Sequence, residues 1–307
     1  MSDQTSARIA IVTGQDVTHL TENGQSLRTE LRSRGLSAEP VVWTNPRIDW
    51  SAFDVALVRS CWKYHTQIEK FRKWLESVEN AGVVLLNPAG VIRWNVHKSY
   101  LRELADDGVS ILPTAWVERG GGVDLQTVLR RNDWPKAVVE PAIGTSSAGV
   151  WRTSIAEAAS QQQRFETVLS EGDALVQEFA PEIVDGERSL VFFEGNYSHA
   201  WNSLPAENEF RAHPSYGGSI GPYEPSRNVV NQAANVLRTA CSSLTIDMTE
   251  LLYARVDGIE RDGGFRLMEL ELVEPYLSLD ADERALATFV DGIESSLRRY
   301  SATIANQ

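Results

Sequence analysis

Residues 253–275 read YARVDGIERDGGFRLMELELVEP. Two strand-like runs flank Arg261-Asp262-Gly263-Gly264, a turn signal, so the stretch predicts a β-hairpin. Residues two apart on a strand share a face, which sets Glu269 and Glu271 side by side. Like charges that close repel unless something positive lies between them. Pairing brings Asp257 of the first strand opposite these glutamates, with Arg255 projecting to the same side. Carboxylates converging on one sheet face make an all-oxygen set suited to Mg²⁺, which keeps waters and also holds substrate phosphates. Arg255 adds a donor fork for phosphate or carboxylate. Taken alone, the stretch also reads as a solvated sheet face of alternating charge, so the rest of the chain has to decide.

Upstream, RIAIVTG, EPVVW, DVALVRS and VVLLN read as strands, with helical spacing in GQSLRTELRSRG and in EKFRKWLESVENAG between them. That β-α-β alternation predicts a parallel sheet with helices on its faces, and ligands of such sheets sit beyond the carboxyl ends of the strands. WNVHKSYLRELADDGV predicts one helix closed near Gly108. TAWV, KAVVEPA and ALVQEFAP predict strands, and DLQTVLRRNDW a short helix with Asp124 as N-cap. Further helices are expected over about 155–170, 228–243 and 281–300. The first third is α/β and the remainder α+β, with a boundary near residue 110.

The 307 residues suffice for about two domains. A net charge of −13 argues against a general nucleic-acid binder, which needs a basic surface. No apolar run approaches a bilayer span, and MSDQTSARIAIVTG lacks the plan of a signal peptide. The expectation is a soluble, cytoplasmic protein. Cys61 and Cys241 are too few for a disulfide framework and read as buried thiols.

Three further stretches could carry chemistry. IGTSSAGVW is a small-residue loop after a strand, whose backbone N–H groups could approach phosphate oxygens, although it lacks the lysine and spacing of a P-loop. VQEFAPEIVDGERS ends an apolar strand beside carboxylates. FRAHPSYGGSIGPYEPS is a glycine- and proline-rich run too long for a tight turn, and such runs often serve as lids. His213 within it reads as a lid or surface residue rather than a general base.

Taken in order, these pieces resemble the ATP-grasp superfamily of carboxylate–amine ligases, which includes glutathione synthetase and D-alanine–D-alanine ligase. The resemblance covers nearly the whole chain. It implies an ATP-grasp fold with an N-terminal parallel α/β (pre-ATP-grasp) domain over 1–110, a central lid subdomain over 111–180 and a C-terminal subdomain with the metal site over 181–307. On that likeness RVD and MELE place metal on Asp257, Glu269 and Glu271, and Lys98 contacts phosphate. Glu140, Ser146 and Ser147 belong to the strand and flap over ATP, and Gln177, Glu178, Phe179 and Glu182 to the adenine-holding hinge. Arg255 and Arg188 are the catalytic arginines. VRSCWKY, GERSLVFF and YGGSIGPYEP are most similar to small ligases related to the D-cycloserine-forming enzyme. That subgroup implies Arg59, Trp62, Tyr64, Arg211, Gly217 and Gly218 on the substrate side.

Two departures stand out. Relatives read lysine–proline before the flap, where this chain has Glu140–Pro141, and a carboxylate there would repel a triphosphate. Lys136, roughly 13 Å away at the strand rise, is a poor substitute. HAWNSLP likewise places Asn202 and Ser203 where relatives often carry a lysine.

The resemblance thus implies an ATP- and Mg²⁺-dependent ligase, with Mn²⁺ able to replace Mg²⁺, that joins a carboxylate to an amine on amino-acid-like small molecules through an acyl phosphate. Its partners are those substrates, without nucleic acid or membrane, and a homodimer stays open. The rival is a degenerate ATP-grasp protein that binds nucleotide or a small molecule without turnover, supported by Glu140. A two-domain receptor for small molecules, which would carry an export signal, is a third reading.

Overall fold

The computed structural model describes residues 7–282 and 284–305; residues 1–6, which bear on the leader reading, lie outside them. Three sheets organise the chain. The first is parallel, in the order β2-β1-β3-β4, from β1 (Arg8–Thr13), β2 (Ser37–Val42), β3 (Val55–Ser60) and β4 (Val84–Leu86). Its central strands are apolar on both faces, so helices must cover both. Helix α1 (Glu22–Ser33), capped by Thr21, buries Leu27 and Leu31 on one face. On the other, α2 (Ile68–Asn80) buries Phe71, Trp74, Leu75 and Val78.

The helix expected over WNVHKSYLRELADDGV is instead two, α3 (Ala89–Asn95) and α4 (Tyr100–Asp106). The chain breaks at Lys98, whose N–H donates to the Ala142 carbonyl at 2.8 Å instead of continuing the helix. A tertiary hydrogen bond outweighs the local propensity there.

The second sheet is antiparallel, β5 (Thr114–Val117), β6 (Lys136–Pro141), β7 (Trp151–Ser154) and β8 (Ala174–Glu178), in the order β5-β8-β6-β7. It is covered by α5 (Leu125–Arg131), N-capped by Asp124 as expected, and α6 (Ala158–Glu171). The third sheet runs β11-β10-β9-β12-β13 from β9 (Glu187–Phe193), β10 (Asn196–Leu204), β11 (Ser219–Pro222), β12 (Tyr253–Arg261) and β13 (Gly264–Glu271). β11 lies in the run that carries no apolar periodicity; its order comes from pairing with β10, Trp201 opposite Pro222 and Leu204 opposite Ser219. One face is closed by α7 (Arg227–Leu244), which packs Val236, Leu237 and Ala240 with Leu190, Val256, Leu267 and the α4 residues Leu101 and Leu104.

The predicted hairpin is β12–β13. Asp262 and Gly263 make its turn at φ 53° and 74°. Asp257 pairs with Glu269 but Gly258 with Leu267, so Met268 is the extra residue of a bulge. Gly258 is required there, since a Cβ would lie 2.2 Å from the Arg266 carbonyl oxygen. Finally α8 (Ala285–Ala305) returns to the first sheet, where Phe289, Val290 and Ile293 pack with Ile9, Ile11, Val55 and Leu57. Both cysteines are free and buried, as expected. Among the described residues no helix is long and apolar enough to cross a membrane.

Candidate active site

The hairpin answers its own electrostatic problem with two cations. Arg255 Nε lies 2.9 Å from Asp257 Oδ1, and its Nη2 lies 2.5 Å from Glu271 Oε1. Lys98 Nζ sits 3.1 Å from Glu269 Oε1 and 2.9 Å from Glu140 Oε2. Each carboxylate thus has a positive neighbour, and Asp257 is 2% exposed. By strand alternation Glu187 of β9 faces the same side as Ser189, which is opposite Asp257 in the ladder. Burial, with the Asp257 and Glu269 charges, pushes the Glu187 carboxyl up to about 8. Burial also pushes Glu271 up to about 8, against the pull of Arg255.

Among the described residues no three His, Cys, Asp or Glu side chains are arranged to hold a metal ion. The donor chemistry nevertheless fits a hard dication. Five carboxyls (Glu140, Glu187, Asp257, Glu269 and Glu271) meet two cations here, Lys98 and Arg255. All offer oxygen, and their mutual repulsion is what a dication relieves.

Arg188 is not brought to this cluster. It lies on the opposite face of β9 from Glu187, bonds the Asp185 carbonyl at 2.6 Å and pairs with Glu260 at 3.5 Å. Asn202, on the neighbouring strand, also donates to the Asp185 carbonyl, at 2.9 Å. Glu187 went unrecognised in the sequence because only register reveals which of two adjacent residues faces inward.

The loop between β6 and β7 closes over the other side. Ser146 and Ser147 take left-handed φ values of 54° and 56°. Thr145 Oγ1 lies 2.8 Å from His65 Nδ1, and Tyr216 donates to the Ser147 carbonyl at 3.3 Å. The flap is therefore held from the first sheet and from the 210–222 run. Arg211 stacks 3.6 Å from the Tyr216 ring centroid and pairs with Glu209 at 2.6 Å. Gly217, at φ 81°, and Gly218, whose Cβ would meet the Ala212 carbonyl at 2.6 Å, shape that loop. His213 caps its turn by accepting from the Ser215 N–H, and burial together with the Arg255 charge lowers its pKa.

At the hinge after β8, Gln177 is buried and donates to Thr114 Oγ1 at 3.1 Å. Glu178 and Glu182 are gathered by Arg261 of the hairpin turn, at 2.8 and 3.3 Å. Phe179 lies under the Arg152 guanidinium. Neither His65 nor Arg261 carries a signal in the sequence, since each acts through a partner distant along the chain.

The end of β3 supplies the remaining residues. Arg59 lies over the rings of Tyr253 and Phe289, donates to the Pro275 carbonyl at 3.0 Å and keeps Nη1 without a partner. Glu274 Oε2 is likewise buried without one. Tyr64 stacks on Phe71 at 4.6 Å, and burial with the Glu274, Glu271 and Glu269 charges raises its hydroxyl pKa. Trp62 is 38% exposed. Lys136, at the start of β6, is exposed.

A family profile described as "D-cycloserine synthetase DcsG, N-terminal domain" matches residues 9–87. Over 281 residues the chain is 30% identical to the cycloserine biosynthesis protein DcsG of Streptomyces lavendulae, covering 87% of this chain and 91% of that protein. The crystal structure of D-cycloserine synthetase DcsG superposes with a TM-score of 0.85 at 25% identity, covering 95% of this chain and 100% of that one. The D-alanine–D-alanine ligase of Bacillus anthracis complexed with ATP superposes at 0.71 with 18% identity, covering 97% and 100%, a likeness of fold. By the identity and coverage shared with DcsG, the chain belongs to the D-cycloserine synthetase family of ATP-grasp ligases.

Proposed function

We propose that this ligase joins a carboxylate to an amine on amino-acid-like small molecules, with Mg²⁺ as cofactor and an acyl phosphate as intermediate. The observation that carries the proposal is the cluster of Asp257, Glu269 and Glu271 around Arg255 and Lys98, tied through Glu140 to the strand that leads into the flap.

Asp257, Glu269 and Glu271 are the residues that would hold Mg²⁺, or Mn²⁺ in its place. Bound there, the dication supplies charge neutralisation for the triphosphate. A carboxylate oxygen of the substrate attacks the γ-phosphorus of ATP, and the bond to the ADP oxygen breaks. The amine nitrogen then attacks the acyl carbon, inorganic phosphate leaves with the bonding pair, and the nitrogen gives up a proton. Such chemistry needs positioning and electrostatic stabilisation more than a protein nucleophile. Arg255, whose Nε is held by Asp257, stabilises the transferring phosphoryl group in this reading. The flap, tied at Thr145 and Ser147, keeps water from the acyl phosphate. The buried guanidinium of Arg59 and the hydroxyl of Tyr64 orient the substrate.

Thermal unfolding with Mg²⁺ alone and with Mg²⁺ plus ATP or ADP tests this reading. Ligand that binds only the native state at 100 times its Kd adds about 2.7 kcal/mol. The expected result is a Mg²⁺-dependent rise in midpoint that is lost in Asp257→Asn and Glu269→Gln, followed by phosphate release with paired amino acids. A midpoint indifferent to nucleotide at every Mg²⁺ concentration would sink the proposal in favour of a degenerate binder.

A further inference from the structure

Glu140 sits near the end of β6 with a carboxylate 2.9 Å from Lys98 Nζ. Lys98 is fastened to that strand terminus twice, because its main-chain N–H also donates to the Ala142 carbonyl at 2.8 Å. The same ammonium reaches Glu269 at 3.1 Å. An ammonium has three N–H donors; one is given to Glu140 while Glu269 is an ion-pair neighbour, so donor capacity is left for a ligand. The Lys98 and Glu140 side chains are 10% and 15% exposed, which leaves little room for water to take either partner's place. A lysine stem is otherwise free to choose among many rotamers, and a charge-assisted bond from a sheet removes that choice.

We propose that Glu140 is a positioning residue, a carboxylate that holds the Lys98 ammonium beside Glu269 so that its free N–H meets the nucleotide phosphates. This rests on the ligase reading above. Glu140 then faces phosphate as half of a neutralised pair rather than as bare negative charge. When a ligand engages Glu269, Glu140 is the partner that Lys98 keeps.

A repelling carboxylate and a positioning one give opposite results on substitution. Phosphate release by the full chain would be measured for Glu140→Gln, Glu140→Ala and Glu140→Lys, together with MgADP affinity by calorimetry. Glu140→Ala is expected to lower kcat at least tenfold with a smaller change in KM for ATP. Glu140→Gln, which still accepts a bond from Lys98, should recover part of the loss, and Glu140→Lys should be the poorest. A gain in nucleotide affinity or in kcat for Glu140→Gln or Glu140→Lys overturns the proposal.

A second measurement needs no turnover. The chain has only five lysines, Lys63, Lys70, Lys73, Lys98 and Lys136, so a ¹⁵N-lysine spectrum with a Lys98→Arg control assigns the Lys98 ammonium. Its signal should persist through slow proton exchange in the wild type and vanish in Glu140→Ala. A Lys98 signal indifferent to Glu140 removes the proposal alone. A wild type that binds no nucleotide removes the ligase reading, and the phosphate half of the proposal with it.

Discussion

Arg255 touches two carboxylates with one guanidinium, Asp257 through Nε and Glu271 through Nη2, and its Nη1 donates to the Tyr276 carbonyl. Burial alone would lower its pKa, but Asp257 and Glu271 outweigh that and raise it, so it stays charged. Removing one member of a buried ion cluster leaves the others uncompensated. Arg255→Met should therefore cost about 3–5 kcal/mol of stability, read as a lowered denaturant midpoint at unchanged slope. Activity should fall by about 10²–10³ if the guanidinium stabilises the phosphoryl group. A stable Arg255→Met protein with wild-type kcat would contradict both roles. At this scale the sequence was informative where chemistry is local: the spacing of Asp257, Glu269 and Glu271 was enough to expect one carboxylate face. Glu187 was hidden because it depends on register with a strand far along the chain, and Arg188 beside it was singled out only through the family resemblance of its segment.

The flap between β6 and β7 is an element held by contacts from outside itself. His65 grips Thr145, and burial holds the His65 imidazole below its ordinary value. A histidine with a depressed folded pKa contributes stability that is present above the unfolded value of about 6.5 and lost as pH falls through the folded value. The closed flap should loosen on acidification. Hydrogen exchange across residues 143–149, corrected for intrinsic rates, should be faster at pH 5.5 than at pH 7.5, and His65→Asn should flatten the difference. Equal protection at both pH values would show that the contact carries no weight. The strands and most helices around the flap were legible, because periods of 2 and 3.6 are written into contiguous residues. The break at Lys98 was not, since it is imposed by the Ala142 carbonyl, more than forty positions downstream and just past the end of β6. The latch was invisible for the same reason.

Across the whole molecule, the first sheet depends on the last helix. Ile9, Ile11, Val55 and Leu57 lean on Phe289, Val290 and Ile293, so residues 1–110 alone would present an apolar face to water. That fragment is expected to aggregate or to lack a cooperative unfolding transition, whereas the full chain should show one. A soluble, cooperatively folding fragment would mean that α8 adds little. The wrap also has a temporal meaning. On the ribosome the opening β-α-β units emerge first, yet their exposed side cannot be sealed until residues near 293 have left the exit tunnel. For most of translation the nascent chain must carry an unfinished sheet, a long-range closure of the kind that slows folding and invites chaperone binding. Moving the helix-coding segment to the front of the gene by circular permutation would let that sheet be completed as soon as it is made.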